Sequence, residues 1–158
     1  MKLKKAALGG TFSLIHKGHK ELITTAFHYA ERVIVGISSE YLVSTLKKAY
    51  KVPRYRERLR KIYHFLLKKG FLSRAKIFTL IDPYGPTLFE KDLEIIVVSD
   101  KRIERALEIA KFRVDHNYST IQSLVVKKLV AEDGYPISCT RIMRGEIDVE
   151  GRILHSEY

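Results

Sequence analysis

Tryptophan is absent from this sequence, and cysteine, asparagine and glutamine occur once each, as Cys139, Asn117 and Gln122. A single cysteine cannot close an internal disulfide, which fits a reducing, cytoplasmic setting and leaves the fold to its apolar core. No apolar run approaches the roughly 20 residues of a bilayer span, so no membrane role is expected. The basic start Met1-Lys2-Leu3-Lys4-Lys5 runs into a strand pattern, without the apolar segment or cleavage site of a secretion signal. The Walker run G-x-x-x-x-G-K-[ST] and the fingerprint G-x-G-x-x-G are both missing. So are internal repeats, low-complexity tails and the aromatic signature of RNA-binding modules. Scarce amides beside 30% charged residues match thermophile usage.

What remains is one domain's worth of chain. Its 158 residues are 46% apolar, enough for a full core, and we read residues 1–158 as a single domain. The net charge of +11 points to a polyanion. That polyanion is a nucleic acid or a small anionic substrate such as ATP, unless the charge is only a surface habit. Without an RNA-binding signature, the nucleic-acid reading is the weaker one.

The most informative stretch is Gly9-Gly10-Thr11-Phe12-Ser13-Leu14-Ile15-His16-Lys17-Gly18-His19. It lies between an apolar strand pattern, Lys5 to Leu8, and an apolar-periodic helix pattern, Lys17 to Ala30. Strand, glycine turn, helix is the geometry that places a phosphate at a helix N-terminus. Gly9 and Gly10 allow a sharp turn and close approach of a ligand. Thr11 offers a hydroxyl, and Gly18 leaves room for a triphosphate. His16 and His19 are three apart and can share a face. As a metal site the pair is weak, because H-x-x-H lacks the zincin glutamate and no cysteine-rich set accompanies it.

The rest alternates in α/β fashion. Arg32 to Ser39 reads as a central parallel strand, and Lys76 to Ile81, Leu93 to Ser99 and Ser123 to Ala131 as three more. With the first, these make a five-stranded parallel sheet with helices on both faces. Glu40 to Tyr50 reads as a short helix running into a basic loop with Lys47, Lys48 and Lys51. Arg54 to Lys69 reads as an amphipathic helix, closed by Gly70. Leu59, Ile62, Phe65, Leu66 and Leu67 supply its buried side, and Arg54, Arg56, Arg58, Arg60 and Lys61 a solvated one. Ser99 or Asp100 can cap the next helix, whose buried side is Ile103, Ala106, Leu107 and Ala110. Asp82-Pro83-Tyr84-Gly85-Pro86-Thr87 is a rigid loop at the sheet's carboxyl edge, where open α/β sheets bind ligands. Ser138 or Thr140 can cap a last basic helix, in which Arg141 offers a donor fork for phosphate.

The pattern G-G-T-F-x-x-x-H-x-G-H resembles the signature of the H-x-G-H nucleotidyltransferase superfamily. Ile137-Ser138-Cys139-Thr140-Arg141-Ile142 is similar to that superfamily's I-S-S-T-R-I motif. With Ala131-Glu132-Asp133-Gly134, Arg144-Gly145-Glu146-Ile147-Asp148 and the Asp82 to Thr87 loop, the chain resembles archaeal-type phosphopantetheine adenylyltransferases. These are related to the adenylyltransferase domain of eukaryotic coenzyme A synthase. Three places depart from the pattern: Ser13 where an acidic residue is common, Cys139 for the middle serine, and Val98-Ser99-Asp100-Lys101 after the fourth strand.

The resemblance implies a Rossmann-like nucleotidyltransferase fold and transfer of the adenylyl group of ATP to 4′-phosphopantetheine, giving dephospho-coenzyme A and pyrophosphate. It implies that Thr11 and His16 contact the α-phosphate and attacking phosphate, and that the histidines with the helix dipole neutralise charge there. It further implies that His19 holds the triphosphate, and that Ser138, Thr140 and Arg141 bind ATP phosphates. Gly9 and Gly10 would form the nucleotide-side wall, with Phe12 and Gly18 beside them. A lysine shortly before a proline serves the phosphates in this family, which makes Lys51 the candidate. Mg²⁺ is expected with ATP, held by phosphate oxygens and water, with no protein ligand named. The alternatives are a cytidylyltransferase or nicotinamide mononucleotide adenylyltransferase of the same superfamily, or a basic nucleic-acid-binding module. Oligomeric state stays open.

Overall fold

The computed structural model describes residues 1–155. Five parallel strands form one sheet: β1 (Leu3–Gly10), β2 (Ala30–Ser38), β3 (Ala75–Leu80), β4 (Ile95–Ser99) and β5 (Gln122–Val126). Their spatial order is β3-β2-β1-β4-β5. The order reverses at β1, so the crevice at the carboxyl end of β1 and β4 is the natural ligand site. Five helices accompany the sheet: α1 (Lys17–Tyr29), α2 (Glu40–Ser44), α3 (Tyr55–Lys68), α4 (Ile103–Asp115) and α5 (Cys139–Met143).

Alternation along the strands sends side chains to both faces. Ala6 and Leu8 of β1 pack with Ile23 and Phe27 of α1 and Ile62 and Leu66 of α3. Ala7, Ile34 and Ile96 pack on the other face with Ala106 and Ile109 of α4. Helices therefore cover both faces, as expected. A third, smaller cluster of Ala131, Ile137 and Ile147 organises the C-terminal segment. No helix among the described residues is long and apolar enough to cross a membrane.

Five local expectations are corrected. The helix from Glu40 stops at Ser44 rather than Tyr50. There the hydroxyls of Ser44 and Thr45 donate to the carbonyls of Tyr41 and Leu42, competing with the helix ladder. The fifth strand stops at Val126 rather than Ala131, because its last partner is Ser99, where β4 ends. Neither Ser99 nor Asp100 caps α4, which starts after a 3-10 turn at Asp100–Arg102. The buried stripe of α4 is Ala106, Ile109 and Arg113, while Leu107 is 60% exposed, and Leu67 of α3 is also exposed.

The charged side of α3 holds the largest surprise. Arg58 is fully buried. Its Nε donates to the carbonyl of Pro53 at 2.9 Å, and its Nη1 donates to those of Thr11 at 2.8 Å and Ser38 at 2.7 Å. Arg113, also fully buried, donates likewise to the carbonyls of Ser119, Thr87 and Glu90. Replacing Arg58 by Met keeps the volume but strips three inner carbonyls of their donor. Arg58→Met is expected to cost about 3 kcal/mol or more, read as a lower urea midpoint. A loss under about 1 kcal/mol would mean that the carbonyls find other donors.

Candidate active site

His16 is the N-cap of α1. Its Nδ1 accepts from the backbone N–H of Gly18 at 3.0 Å and of His19 at 3.3 Å. The His19 Nδ1 in turn accepts from the His16 N–H at 3.4 Å. This is a reciprocal capping box built from two imidazoles, where a serine and a glutamate are usual. The rings stack with centroids 3.7 Å apart. Each Nδ1 accepts a hydrogen bond, so in the neutral ring the proton sits on Nε2. Both rings therefore carry an N–H donor, that of His19 directed at the Leu14 carbonyl.

Burial, followed by the charge of Lys128, lowers the His16 pKa to about 4. Burial, then His16 and more weakly Lys48, lowers that of His19 to about 3, against a hydrogen bond from its ring to the Leu14 backbone that favours the charged form. The rings are thus neutral in the free protein, and stabilise an anion first by N–H donation rather than by charge. A bound phosphate would raise both values.

The glycine turn is shaped by its own side chains. Phe12 is buried at a positive φ of 52°, an uncommon conformation for a bulky residue. A Cβ on Gly10 would stand 3.2 Å from the Phe12 ring, and one on Gly18 would stand 2.9 Å from His16 Cε1. Gly18 makes room for the imidazole, where the sequence suggested room for a triphosphate. Thr11 is buried beneath the turn, and its hydroxyl makes no hydrogen bond among the described residues.

Two cavities meet here. A polar one of about 280 Å³ is lined by Phe12, His16, Gly18, His19, Ser138 and Thr140, among others. An apolar one of about 130 Å³ lies across β1, lined by Leu42, Leu80, Pro83, Tyr84 and Ile109, among others. Gly9, Gly10, Thr11, Val97, Val98 and Arg102 border both. The Asp82 to Thr87 loop is held by the Asp82 carboxylate, which accepts from the N–H groups of Tyr84 and Gly85. It forms a wall of the apolar cavity.

Ser138 caps α5, accepting from the Arg141 N–H at 3.3 Å. Two expected residues sit otherwise. The Arg141 guanidinium pairs with both Asp133 and Glu146 and donates to the carbonyls of Tyr135 and Pro136, so its fork is already engaged. Lys51 is exposed and borders neither cavity, whereas Lys48 borders the polar one, as do Tyr50, Lys101, Arg102, Lys127 and Lys128. The strand pattern from Ser123 to Ala131 takes in Lys127 and Lys128 and so hides them as cavity residues, and nothing in the sequence marks Lys101 as one.

The fold also brings Cys139 to the histidines: one donor atom each of His16, His19 and Cys139 lie within 4.8 Å of one another. As a metal site the set does not fit. Both Nδ1 lone pairs are committed to backbone N–H groups, both Nε2 atoms carry protons, and burial pushes the Cys139 thiol pKa up.

A parallel α/β sheet with a glycine turn, a histidine-capped helix and a cation-rich cavity at its switch point defines a nucleotide-binding α/β protein. The cytidylyltransferase-like family model matches residues 7–145. The phosphopantetheine adenylyltransferase of Methanosarcina barkeri is 38% identical over 96% of this chain and 93% of its own. The bifunctional phosphopantetheine adenylyltransferase/NTP phosphatase of Thermoplasma volcanium is also 38% identical, over 93% of this chain, but this chain spans only 44% of that protein. A solved protein of unknown function from Archaeoglobus fulgidus superposes with a TM-score of 0.70 at 32% identity, covering 77% of this chain and 88% of that one. The chain belongs to the cytidylyltransferase-like family and, within it, to the phosphopantetheine adenylyltransferases.

The buried histidines give a pH signature. Their folded pKa values lie below the ordinary 6.5, so the unfolded chain binds more protons under mild acid. Their stabilising contribution is complete above about pH 6.5 and is lost as pH falls towards 4 and then 3. The urea midpoint should therefore drop between pH 7 and pH 5, where most carboxylates are still ionised. In His16→Asn/His19→Gln, which keeps a capping box, the drop should largely vanish. An unchanged drop would place the acid sensitivity elsewhere.

Proposed function

We propose that this chain transfers the adenylyl group of ATP to 4′-phosphopantetheine. An oxygen of the acceptor's phosphate attacks the α-phosphorus, the bond to the β-phosphate oxygen breaks, and pyrophosphate leaves. The observation that carries this reading is the meeting of the polar and apolar cavities at Thr11. The polar cavity suits a triphosphate. The apolar one suits the amide and methylene arm of pantetheine, and Arg105 beside it has an Nη1 with no partner among the described residues, suited to an amide carbonyl. The names of the relatives favour the same pair of substrates.

The acceptor is a phosphate monoester with a second pKa near ~6, so it is already ionised at neutral pH and needs no strong base. Catalysis then rests on positioning and on donors aimed at the α-phosphate. We assign Thr11 and the His16 Nε2–H to the α-phosphate and attacking phosphate, and the His19 Nε2–H to the triphosphate. Lys48, rather than Lys51, is the loop lysine placed to join them. Among the described residues no carboxylate borders the polar cavity. Mg²⁺ would therefore arrive held by phosphate oxygens and water, supplying charge neutralisation there.

The first test is pyrophosphate release with Mg²⁺, offering ATP or CTP against 4′-phosphopantetheine, nicotinamide mononucleotide and glycerol 3-phosphate. Turnover with ATP and 4′-phosphopantetheine alone is expected. Turnover with another pair would keep the chemistry and change the substrate. No turnover, together with salt-sensitive oligonucleotide binding, would favour a nucleic-acid-binding protein.

His16→Asn retains the helix cap while removing the Nε2–H. It should lower kcat by about 100-fold or more, the range seen when an oxyanion donor is lost, with KM for ATP within a few-fold. An unchanged kcat would remove His16 from the chemistry.

A further inference from the structure

We propose that Lys101 and Lys128 form the seat for the terminal phosphates of the nucleotide, the part that leaves as pyrophosphate. The assignment rests on the polar cavity being a nucleoside triphosphate site, but not on the identity of the acceptor.

Three observations converge on it. First, position: Lys101, Lys128 and Ser138 are the residues shared by the polar cavity and a shallow cleft that continues outward from it. A triphosphate with its α-phosphate at Thr11 and His16 would extend along this ridge, with its charged end between the two lysines.

Second, charge: the two ammonium groups face one another, and among the described residues neither makes an ion pair. Lys128 is half-buried, and burial followed by Lys101 lowers its pKa to about 8. Asp100 offsets this only in part. Two like charges held together, one of them half-buried, repel unless an anion comes between them. Lys128 also faces His16, whose pKa it depresses, so an anion seated there relieves both groups.

Third, the competing cation is already committed. The Arg141 fork is neutralised by Asp133 and Glu146. Those two carboxylates border the cleft beside Arg141, and with Asp100 next to Lys101 they disfavour an anion that moves past the lysines. The lysines lie on two segments, the 3-10 turn after β4 and the run after β5. Both begin at the Ser99 and Val126 pair that ends the sheet, so the sheet sets their spacing.

The test uses inorganic tripolyphosphate, titrated into the protein by calorimetry, so it needs no turnover. Lys128→Met should weaken binding roughly tenfold, as expected for loss of one charge-assisted contact. Lys101→Met/Lys128→Met should weaken it further. Lys76→Met, the same charge change at an exposed position on β3, should stay within about twofold because screening removes distant surface charges. Thermal unfolding of each variant confirms that it is folded. Three results would overturn the seat: no binding by the unaltered protein, Lys128→Met within about twofold of it, or an equal loss in Lys76→Met. Tripolyphosphate binding that depends on Lys128, in a protein inactive towards 4′-phosphopantetheine, would keep the seat and remove only the acceptor.

Discussion

The geometry of the site depends on one buried guanidinium. Arg58 joins the turn after β1, the end of β2 and the loop before α3 by donating to one carbonyl in each. A charge without solvent is costly, and burial pulls the Arg58 pKa down. It is tolerated because three carbonyl dipoles converge on it, the Tyr55 ring lies 5.7 Å away, and the negative charge of Glu40 favours it. Fixing the Thr11 carbonyl fixes the backbone that carries the Thr11 hydroxyl and the strained Phe12. Fixing Pro53 limits the loop that brings Lys48 and Tyr50 to the polar cavity. Arg113 does the equivalent across the sheet, tying the carbonyls of Thr87 and Glu90 to α4 behind the wall of the apolar cavity. Each cavity thus has its own buried arginine, away from the space a ligand would fill.

The two histidines then divide their ring atoms. Each Nδ1 serves the fold by capping α1; the His16 Nε2–H is left for an anion, while that of His19 leans on the Leu14 carbonyl until an anion competes for it. The same burial that holds them neutral makes their N–H groups better donors, since little water competes. Formal charge comes instead from lysines at the rim. This separation explains how a cavity with neutral histidines sits in a strongly basic protein. The rim can attract a polyanion at a distance, while the inner donors act only at contact range.

The parts of this that are legible in the sequence are those set by local connectivity and periodicity. The glycine turn, Thr11, His16 and His19 lie within eleven residues, so their proximity follows from chain connectivity. The sheet and the covering of both its faces followed from apolar periodicity. Other features depended on long-range partners. Arg58 and Arg113 lie on helix faces where a hydrophobicity reading counts arginine as solvated, and only the converging carbonyls show otherwise. The buried stripe of α4 is hidden for the same reason, since it passes through Arg113 while Leu107 faces outward. Apolar pattern alone carries the fifth strand past Val126, because its end is set by where β4 ends. The engaged fork of Arg141 depends on Asp133 and Glu146 returning to it across a turn. The sequence suggested the phosphate-binding role from type alone.

The basic composition takes on meaning from the same placement. At the sequence level, +11 could serve a nucleic acid, an anionic metabolite or nothing in particular. In the fold, Lys48, Lys101, Arg102, Lys127 and Lys128 border one concave cavity that no carboxylate among the described residues borders. Low-dielectric walls focus the field of such a cluster, raising the local concentration of a small polyanion and its association rate. An extended polymer would be served better by cations tracking along a ridge or groove. A cavity of about 280 Å³ instead concentrates its cations where a few phosphates can sit. The acidic groups that could cancel this field are kept outside the cavity: Asp133 and Glu146 are bound to Arg141, and Glu90 and Asp92 to Lys5. Ion pairing elsewhere in the molecule thus leaves these lysines compensated only in part, by Asp100, and their repulsion is relieved when an anion binds.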